Sequence, residues 1–382
     1  MNARLATFAW YVWESDAFSA RLTRALLSPL EALFGAVVRR RNAAFDRQQS
    51  TASSRATLPA ISVGNLTVGG TGKTPIASWL ASQLRAGGAR PALILRGYGD
   101  DEWLVHTLLT PNVPVVVSAD RSAGLATART RGADCAVLDD AFQHRQVRRA
   151  ADVVLVSVDR WREDVRLLPA GPFREPLSAL RRAAVVILTS KAASAERARA
   201  VELVIEQAAP GIPVVHVRLH PGHVRLAVSL PAVGHAGVAG NAGDAAASGK
   251  VLAAPLGPSG LTHDVAWLAG KRFVSVSAIG DPRAFEEQLR RVGAKLEPPI
   301  RFPDHHRYTV ADAKRIARAA SGSDGVICTL KDAVKLKSLW PRAAPPLWYV
   351  SQTVVIERGA EALNRVLTRL LSARITPAPT AG

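Results

Sequence analysis

The chain has 382 residues, 48% of them hydrophobic, which is length for two domains of ordinary size and apolar content for their cores. Its two cysteines, Cys135 and Cys328, lie in separate apolar runs without a CxxC partner, which excludes a disulfide framework and fits a reducing compartment. A formal charge of +18, from 49 basic and 31 acidic residues, fits either an Arg-rich solvated surface or an anionic partner. With no RNP-like aromatic motif, zinc-finger spacing or clear helix-turn-helix, nucleic acid ranks behind membrane and phosphate.

The first element is helical. In "LLSPLEALFGAVVRRRNAAF", Ser28 can cap, Pro29 can take the first helical position and Glu31 can close the capping box. Leu30, Leu33, Phe34 and Val37 then share a face, followed by Arg39, Arg40 and Arg41. The stretch is too short and interrupted to span a bilayer, which needs ~20 apolar residues. Trp10, Tyr11 and Trp13 upstream suit a membrane–water interface. Residues 1–50 therefore read either as an interfacial amphipathic anchor or as a helix packed on the protein's own core. A cleaved signal peptide fits poorly, because Glu14 and Asp16 close the short apolar run.

Next comes "PAISVGNLTVGGTGKTPIASWLASQLRAGG", an apolar strand, a glycine-rich turn and a helix with Ile76, Leu80 and Leu84 on one face. Strand, glycine loop and helix N-terminus make an anion site. Gly69, Gly70, Thr71 and Gly72 would cradle phosphate, Lys73 would reach the outer phosphates, and Thr74 would ligate Mg²⁺. The loop is a variant of the P-loop pattern, with Thr67 where the first glycine is expected.

Strand-like runs "PALIL", "VPVVV", "CAVLDD", "DVVLVSV" and "AVVILTS" follow, with a helix over "RSAGLATARTRG". The alternation predicts an α/β, P-loop NTPase-like core: a mostly parallel sheet flanked by helices, with ligands at the strands' carboxyl ends. We assign 51–228 to this core and 229–268 to a linker with a Gly/Ala-rich insertion. A smaller α/β domain over 269–374 contains "KRFVSVSAIG", a helix from Pro282, "GVICTL", "PLWYVSQTVVI" and a last helix; 375–382 is a frayed tail.

Polar residues gather at the predicted strand ends. Asp139 and Asp140 close "CAVLDD", as metal ligands or as a turn. "RGYGDDEWL" offers Arg96, Tyr98, Asp100, Asp101 and Glu102, either a solvated acidic turn or a base with a metal ligand. "FPDHHRYT" pairs His305 and His306 without a third metal ligand at suitable spacing. "LLPAGPFREPLSAL" puts Arg174 and Glu175 in a stiff loop, where an arginine can clamp an anion.

Six of these stretches occur in one order: "VGNLTVGGTGKTP", "RGYG" with "DE", "LDDAFQH", "LLPAGPFREPLS", "FPDHH" and "TLKDAVK". Together they resemble the tetraacyldisaccharide 4'-kinase family, from the N-terminal segment to about Leu336. The resemblance implies ATP- and Mg²⁺-dependent phosphorylation of the 4'-hydroxyl of an acylated glucosamine disaccharide 1-phosphate, a lipid A pathway step. It places the protein peripherally at the cytoplasmic face of the inner membrane, with no nucleic-acid partner. It implies Asp101 as catalytic base with His305 as its partner, and Thr74, Glu102 and Asp139 on the metal. Arg96, Tyr98, Arg121, Asp140, Gln143, His144 and Arg174 then serve phosphate or substrate. Departures are the shortened "RGYGDDE", Ala141 where Gly is frequent, and Leu330 where an acidic residue is usual. The alternative is a membrane-recruited P-loop ATPase switch acting on protein partners.

Overall fold

The computed structural model describes residues 3–51, 58–97, 101–230, 250–252 and 261–374. Two helices open the chain, α1 (Ala3–Glu14) and α2 (Phe18–Thr51). The first half then runs β1 (Ala60–Asn65), α3 (Lys73–Ala86), β2 (Pro91–Leu95), α4 (Glu102–Leu109), β3 (Val115–Val117), α5 (Arg121–Thr130), β4 (Cys135–Asp139), β5 (Ala151–Ser157), β6 (Val185–Ser190), α6 (Ala195–Ala208) and β7 (Val214–Leu226). After the short β8 (Lys250–Leu252) and β9 (Thr262–His263) come β10 (Arg272–Ser277), α7 (Pro282–Arg291), β11 (Lys295–Arg301), α8 (Val310–Ala319), β12 (Val326–Thr329), α9 (Leu330–Leu336), β13 (Leu347–Arg358) and α10 (Ala360–Ala373).

The strands form one sheet in the order β11-β10-β12-β13-β7-β6-β5-β1-β4-β2-β3-β8, with β9 beside β7. From β6 to β3 every pairing is parallel, as the predicted alternation of strand and helix requires. Buried apolar runs such as "PALIL" and "CAVLD" are what a sheet covered on both faces selects. Ile76, Leu80 and Leu84 of α3 join Leu363, Val366 and Leu370 of α10 over one face, each essentially buried. Burial of such a side chain stabilises by roughly 1.5–3 kcal/mol relative to exposure. Leu125 and Ala128 of α5 pack on the opposite face against Ile94 and Leu138.

The second α/β segment continues this sheet through the long antiparallel pairing of β7 with β13. Helix α4 stands between the halves: Leu104, Val105 and Leu108 share a core with Tyr308, Ile316 and Leu330, while Trp103 also touches the core under α3. The parallel strands β1, β2 and β4 all point their carboxyl ends at the region between α3 and α4.

The N-terminal helix corrects the expected start. Helix α2 begins at Phe18 and runs through Pro29. The capping box does not form; Ser28 Oγ donates to the Arg24 carbonyl, and Glu31 accepts from the Leu167 backbone N–H at 2.7 Å. Tertiary contacts along α2 outweigh the local stop signal: Asn42 donates to Glu175, and Arg145 pairs with Asp46. The opposite face stays open. Phe18 (74% exposed), Leu22, Leu26 (72%), Leu30, Leu33 (63%) and Val37 recur at helical spacing without partners among the described residues, so this face is not core. Phe34, expected on that face, is half-buried.

Candidate active site

The glycine-rich loop joins β1 to α3. Gly69 and Gly72 both adopt the left-handed conformation, which only glycine enters freely. Lys73 and Thr74 begin α3, at its positive dipole end. The loop is braced from outside by the "PAGPFR" segment, through Val68 N–H to the Pro172 carbonyl at 2.8 Å and Arg174 N–H to Leu66 at 2.7 Å. Thr189 Oγ1 donates to the Thr71 carbonyl.

Asn65, the last residue of β1, is a hub that the sequence reading did not single out. Fully buried, it accepts from Lys73 Nζ at 3.1 Å and from Arg174 Nη2 through its side-chain oxygen. Its carbonyl accepts from Gln143 Nε2 at 2.8 Å. Three predicted phosphate or substrate residues are therefore gathered on one asparagine. Asp140 completes the group with Lys73 at 3.7 Å and Arg174 at 3.3 Å. Burial raises the Asp140 carboxyl, but the two cations outweigh it and hold it below the usual carboxylate range.

Asp139 lies next to β1 because β4 pairs in register with it, Val63 opposite Asp139. Its Oδ2 meets His106 Nε2 at 3.0 Å, and His106 Nδ1 meets Ser78 Oγ at 2.9 Å. All three residues are buried, His106 completely. This relay ties the phosphate-loop helix α3 to α4 and to the end of β4. The sequence reading missed His106; its signal was a polar imidazole among the apolar residues of "EWLVHTLL".

Asp101 stands at the N-cap of α4 with no side-chain capping bond, and Glu102 begins the helix. Asp101 Oδ2 is buried without a hydrogen-bond partner, although Lys335 Nζ lies 3.2 Å away. Burial pushes the Glu102 carboxyl up to about 7, with Asp139 and Asp101 adding to the shift and Lys331, 4.0 Å away, opposing it. Lys331 and Lys335 are a helical turn apart on α9, the "TLKDAVK" segment. Neither was singled out beforehand, because only the packing of α9 on α4 brings them here. Asp332 of the same helix is fully buried, accepting from Tyr308 at 2.9 Å and from Ala278 N–H at 3.0 Å, which fixes the "FPDHH" loop.

His305 reaches the same end of the molecule with a left-handed φ of 61°. Its Nε2 accepts from Lys331 Nζ at 3.3 Å, so the imidazole faces the lysine instead of Asp101. Burial, then Lys331, lower its pKa. His306 turns away to Asp312 at 3.2 Å. Arg121 lies under the site, buried, with Nη1 and Nη2 on the carbonyls of Ser118 and Asp139 at 3.1 and 2.8 Å. Burial drops its pKa to about 10. It props the end of β4 from below. His144 is half-buried, its pKa lowered by burial and by Arg121, Arg149 and Arg96. Tyr98 and Asp100 lie outside the described residues.

Arg96 follows β2. Thr74, Glu102 and Asp139 are the residues that could hold Mg²⁺. Burial, with Asp139 and Asp101 beside it, suppresses the ionisation of Glu102, and a bound cation would reverse that. Mg²⁺ characteristically takes only one or two carboxylates plus substrate phosphates. No cluster of three or more acidic, His or Cys residues arranged for a metal occurs among the described residues.

The chain matches known proteins along most of its length. The model of the family described as "Tetraacyldisaccharide-1-P 4'-kinase" (LpxK) matches residues 23–372. The chain is 33% identical over 351 residues to the tetraacyldisaccharide 4'-kinase of Geobacter sulfurreducens, covering 86% of this chain and 88% of that protein. It is 35% identical to the enzyme of that name from Anaeromyxobacter sp. strain Fw109-5, covering 91% and 92%. In fold it resembles the LpxK of Aquifex aeolicus crystallised with ATP, with a TM-score of 0.64 over 91% of this chain and 99% of that one, at 24% identity.

Proposed function

Because the chain belongs to the tetraacyldisaccharide-1-P 4'-kinase family, we propose a division of labour for its ATP-dependent phosphorylation of the 4'-hydroxyl of an acylated glucosamine disaccharide 1-phosphate, in lipid A biosynthesis. One observation carries it: the ends of β1, β2 and β4 deliver Lys73, the Asp101–Glu102 pair and the Asp139–Asp140 pair to one place, tied together by His106 and Asn65. The rival reading, an ATPase switch acting on protein partners, has no support in matches that run along most of the chain.

In this reading the phosphate loop and Lys73 hold the triphosphate. Asp140 and Asn65 keep Lys73 aimed, and Arg174 adds a second cation beside it. Mg²⁺, held by Thr74, Glu102 and Asp139, would neutralise charge on the phosphate oxygens. His106 fixes Asp139 for that task. Asp101 takes the proton of the 4'-hydroxyl as its oxygen attacks the γ-phosphorus. Lys335, 3.2 Å away, pairs with that carboxylate and positions it. His305, kept neutral by burial and Lys331, shapes the acceptor side.

The lipid reaches the site from a membrane surface. No helix among the described residues is long and apolar enough to cross a bilayer. The open face of α2, with Leu5 and Phe8 exposed on α1, suits the interfacial region of an anionic leaflet, and the charge of +18 adds attraction. We place the protein peripherally on the cytoplasmic face of the inner membrane, without a nucleic-acid partner. The test is purified protein with ATP, Mg²⁺ and the acylated disaccharide 1-phosphate, scored by mass spectrometry for the bisphosphorylated lipid. ATP consumption that ignores the lipid would sink the proposal.

A further inference from the structure

Arg160, in the turn after β5, has no part in the scheme above, yet its guanidinium lies against the phosphate loop. A Cβ added to Gly69 would come within 2.6 Å of Arg160 Nη1 and 2.9 Å of Trp10 Cη2. Gly69 therefore provides the space that the arginine fills. Across the loop, a Cβ on Gly280 would sit 3.1 Å from the same Nη1 and 2.8 Å from the Gly70 backbone nitrogen. Both neighbouring positions are glycine, so no side chain crowds the guanidinium there.

The arginine is held from behind by α1. Its guanidinium stacks 4.0 Å over the Trp10 ring, and Nη2 donates to Glu14 Oε1 at 2.7 Å. Nη1, on the loop side, is buried and has no hydrogen-bond partner. Leaving a charged donor buried and unpaired is costly, so this atom is poised for an acceptor. A cavity of about 50 Å³ opens here, lined by Trp10, Glu14, Gly69, Thr71, Arg160 and Phe173. The anion due beside Gly69 and Gly70 is the outer end of a nucleoside triphosphate.

We propose that Arg160 is a further catalytic residue, an arginine supplied within the chain whose Nη1 donates to the transferring phosphoryl group, and that Trp10 and Glu14 of α1 aim it. The proposal rests on the kinase reading above. In the step, the bond from γ-phosphorus to the β–γ bridging oxygen breaks and its electron pair leaves with ADP. The bond from the 4'-oxygen to phosphorus forms, and the hydroxyl proton goes to Asp101. Arg160 makes and breaks no covalent bond; it stabilises charge on the equatorial oxygens as they spread from the leaving group. Because α1 also carries the exposed Leu5, Phe8 and Tyr11, the helix that faces the lipid surface is the helix that orients the arginine.

The test uses full-length Arg160→Ala, Arg160→Lys, Trp10→Ala and Glu14→Gln, with folding checked by thermal melting. Three quantities are measured: kcat for lipid phosphorylation, MgADP affinity, and affinity for MgADP with aluminium fluoride, which mimics the transferring group. Arg160→Ala should lower kcat by about 10²–10³-fold, since one electrostatic donor to the transition state is lost. It should leave MgADP affinity unchanged and lose the extra affinity conferred by fluoride. Lysine should rescue little, because the planar fork is what stacks on Trp10. Trp10→Ala and Glu14→Gln should lower kcat less, and add nothing in the Arg160→Ala background. An Arg160→Ala enzyme that keeps its kcat and its fluoride affinity overturns the proposal. So does one that loses MgADP and fluoride affinity equally, which marks a residue that merely props the loop. If the wild type fails to phosphorylate the lipid, the kinase reading falls; the fluoride measurement still decides Arg160.

Discussion

Glu102 and His106 stand one helical turn apart on α4 and do opposite things to the acidic cluster. Glu102 adds a carboxyl that burial pushes up to about 7 from its ordinary 4.5. Folded protein then binds more protons at this group than unfolded protein does between those two values. The linkage sign follows: stability is lost as pH rises through that window. Glu102→Gln should flatten the fall in melting temperature between pH ~5 and ~7 in metal-free buffer; a slope identical to wild type would show that Glu102 is solvated instead. His106 removes freedom from the cluster by clamping Asp139 to Ser78. His106→Ala leaves a buried carboxylate oxygen and a buried hydroxyl without partners, at a cost of roughly 1–3 kcal/mol each in chemical denaturation. Divalent-cation affinity of the ADP complex, read by Mn²⁺ paramagnetic resonance, should weaken by about 10–100-fold, as for other residues that orient a metal ligand. Loss of stability with undiminished Mn²⁺ affinity would make the relay purely structural.

Among the elements, α2 carries the plainest mechanical consequence. Its inner face is pinned by Glu31, Asn42 and Asp46, so shortening the chain there would damage the fold. Its outer face can be changed without touching those contacts. Replacing Leu26, Leu30 and Leu33 together by Gln should abolish liposome flotation and raise KM for the lipid. MgATP affinity should hold, and stability should move by no more than about 0.5 kcal/mol per exposed site. Flotation equal to wild type would assign the membrane contact to another surface. The same helix shows what the sequence could and could not disclose. Its outer stripe is periodic and was legible. Its true start was not, since Ser28-Pro29-x-Glu31 is a valid local start signal overruled by distant residues. The apolar parallel strands were legible for the same local reason. Strands β7 and β11 were not: Pro221-Gly222 mimics a turn but occupies a register shift, and Pro298-Pro299 is tolerated because β11 lies at the sheet edge. In the site, the loop residues and acidic pairs were legible as motifs. Asn65, His106, Lys331 and Lys335 were not, because each acquires its role from a partner at least eight residues away and, for the lysines, from Glu102 and Asp101 in the other half of the molecule.

At the scale of the whole molecule the two halves share one sheet, and α4 and α9 pack across their junction. Asp101 comes from the first half, and His305 with both lysines comes from the second. Each member of the candidate dyad is therefore engaged by its own lysine of α9: Asp101 by Lys335 at 3.2 Å, His305 by Lys331 at 3.3 Å. If Asp101 is the base and His305 assists through that shared helix, the two act as one unit. Asp101→Ala and His305→Ala should each lower kcat with little change in MgATP affinity, and the double variant should lose far less than the product of the two. Lys335→Met should also lower kcat, because the ion pair that positions the Asp101 carboxylate is gone, whereas Lys331→Met should lose part of its effect when His305 is already replaced, the remainder acting through Glu102. Steady-state kinetics on the four single variants and the two double variants containing His305→Ala, one with Asp101→Ala and one with Lys331→Met, resolve the pattern. Strictly multiplicative losses for Asp101 and His305 would separate them into independent roles and leave Asp101 as the base without an assistant. Full activity of Asp101→Ala would remove it from the chemistry altogether and turn attention to the neighbouring Asp100.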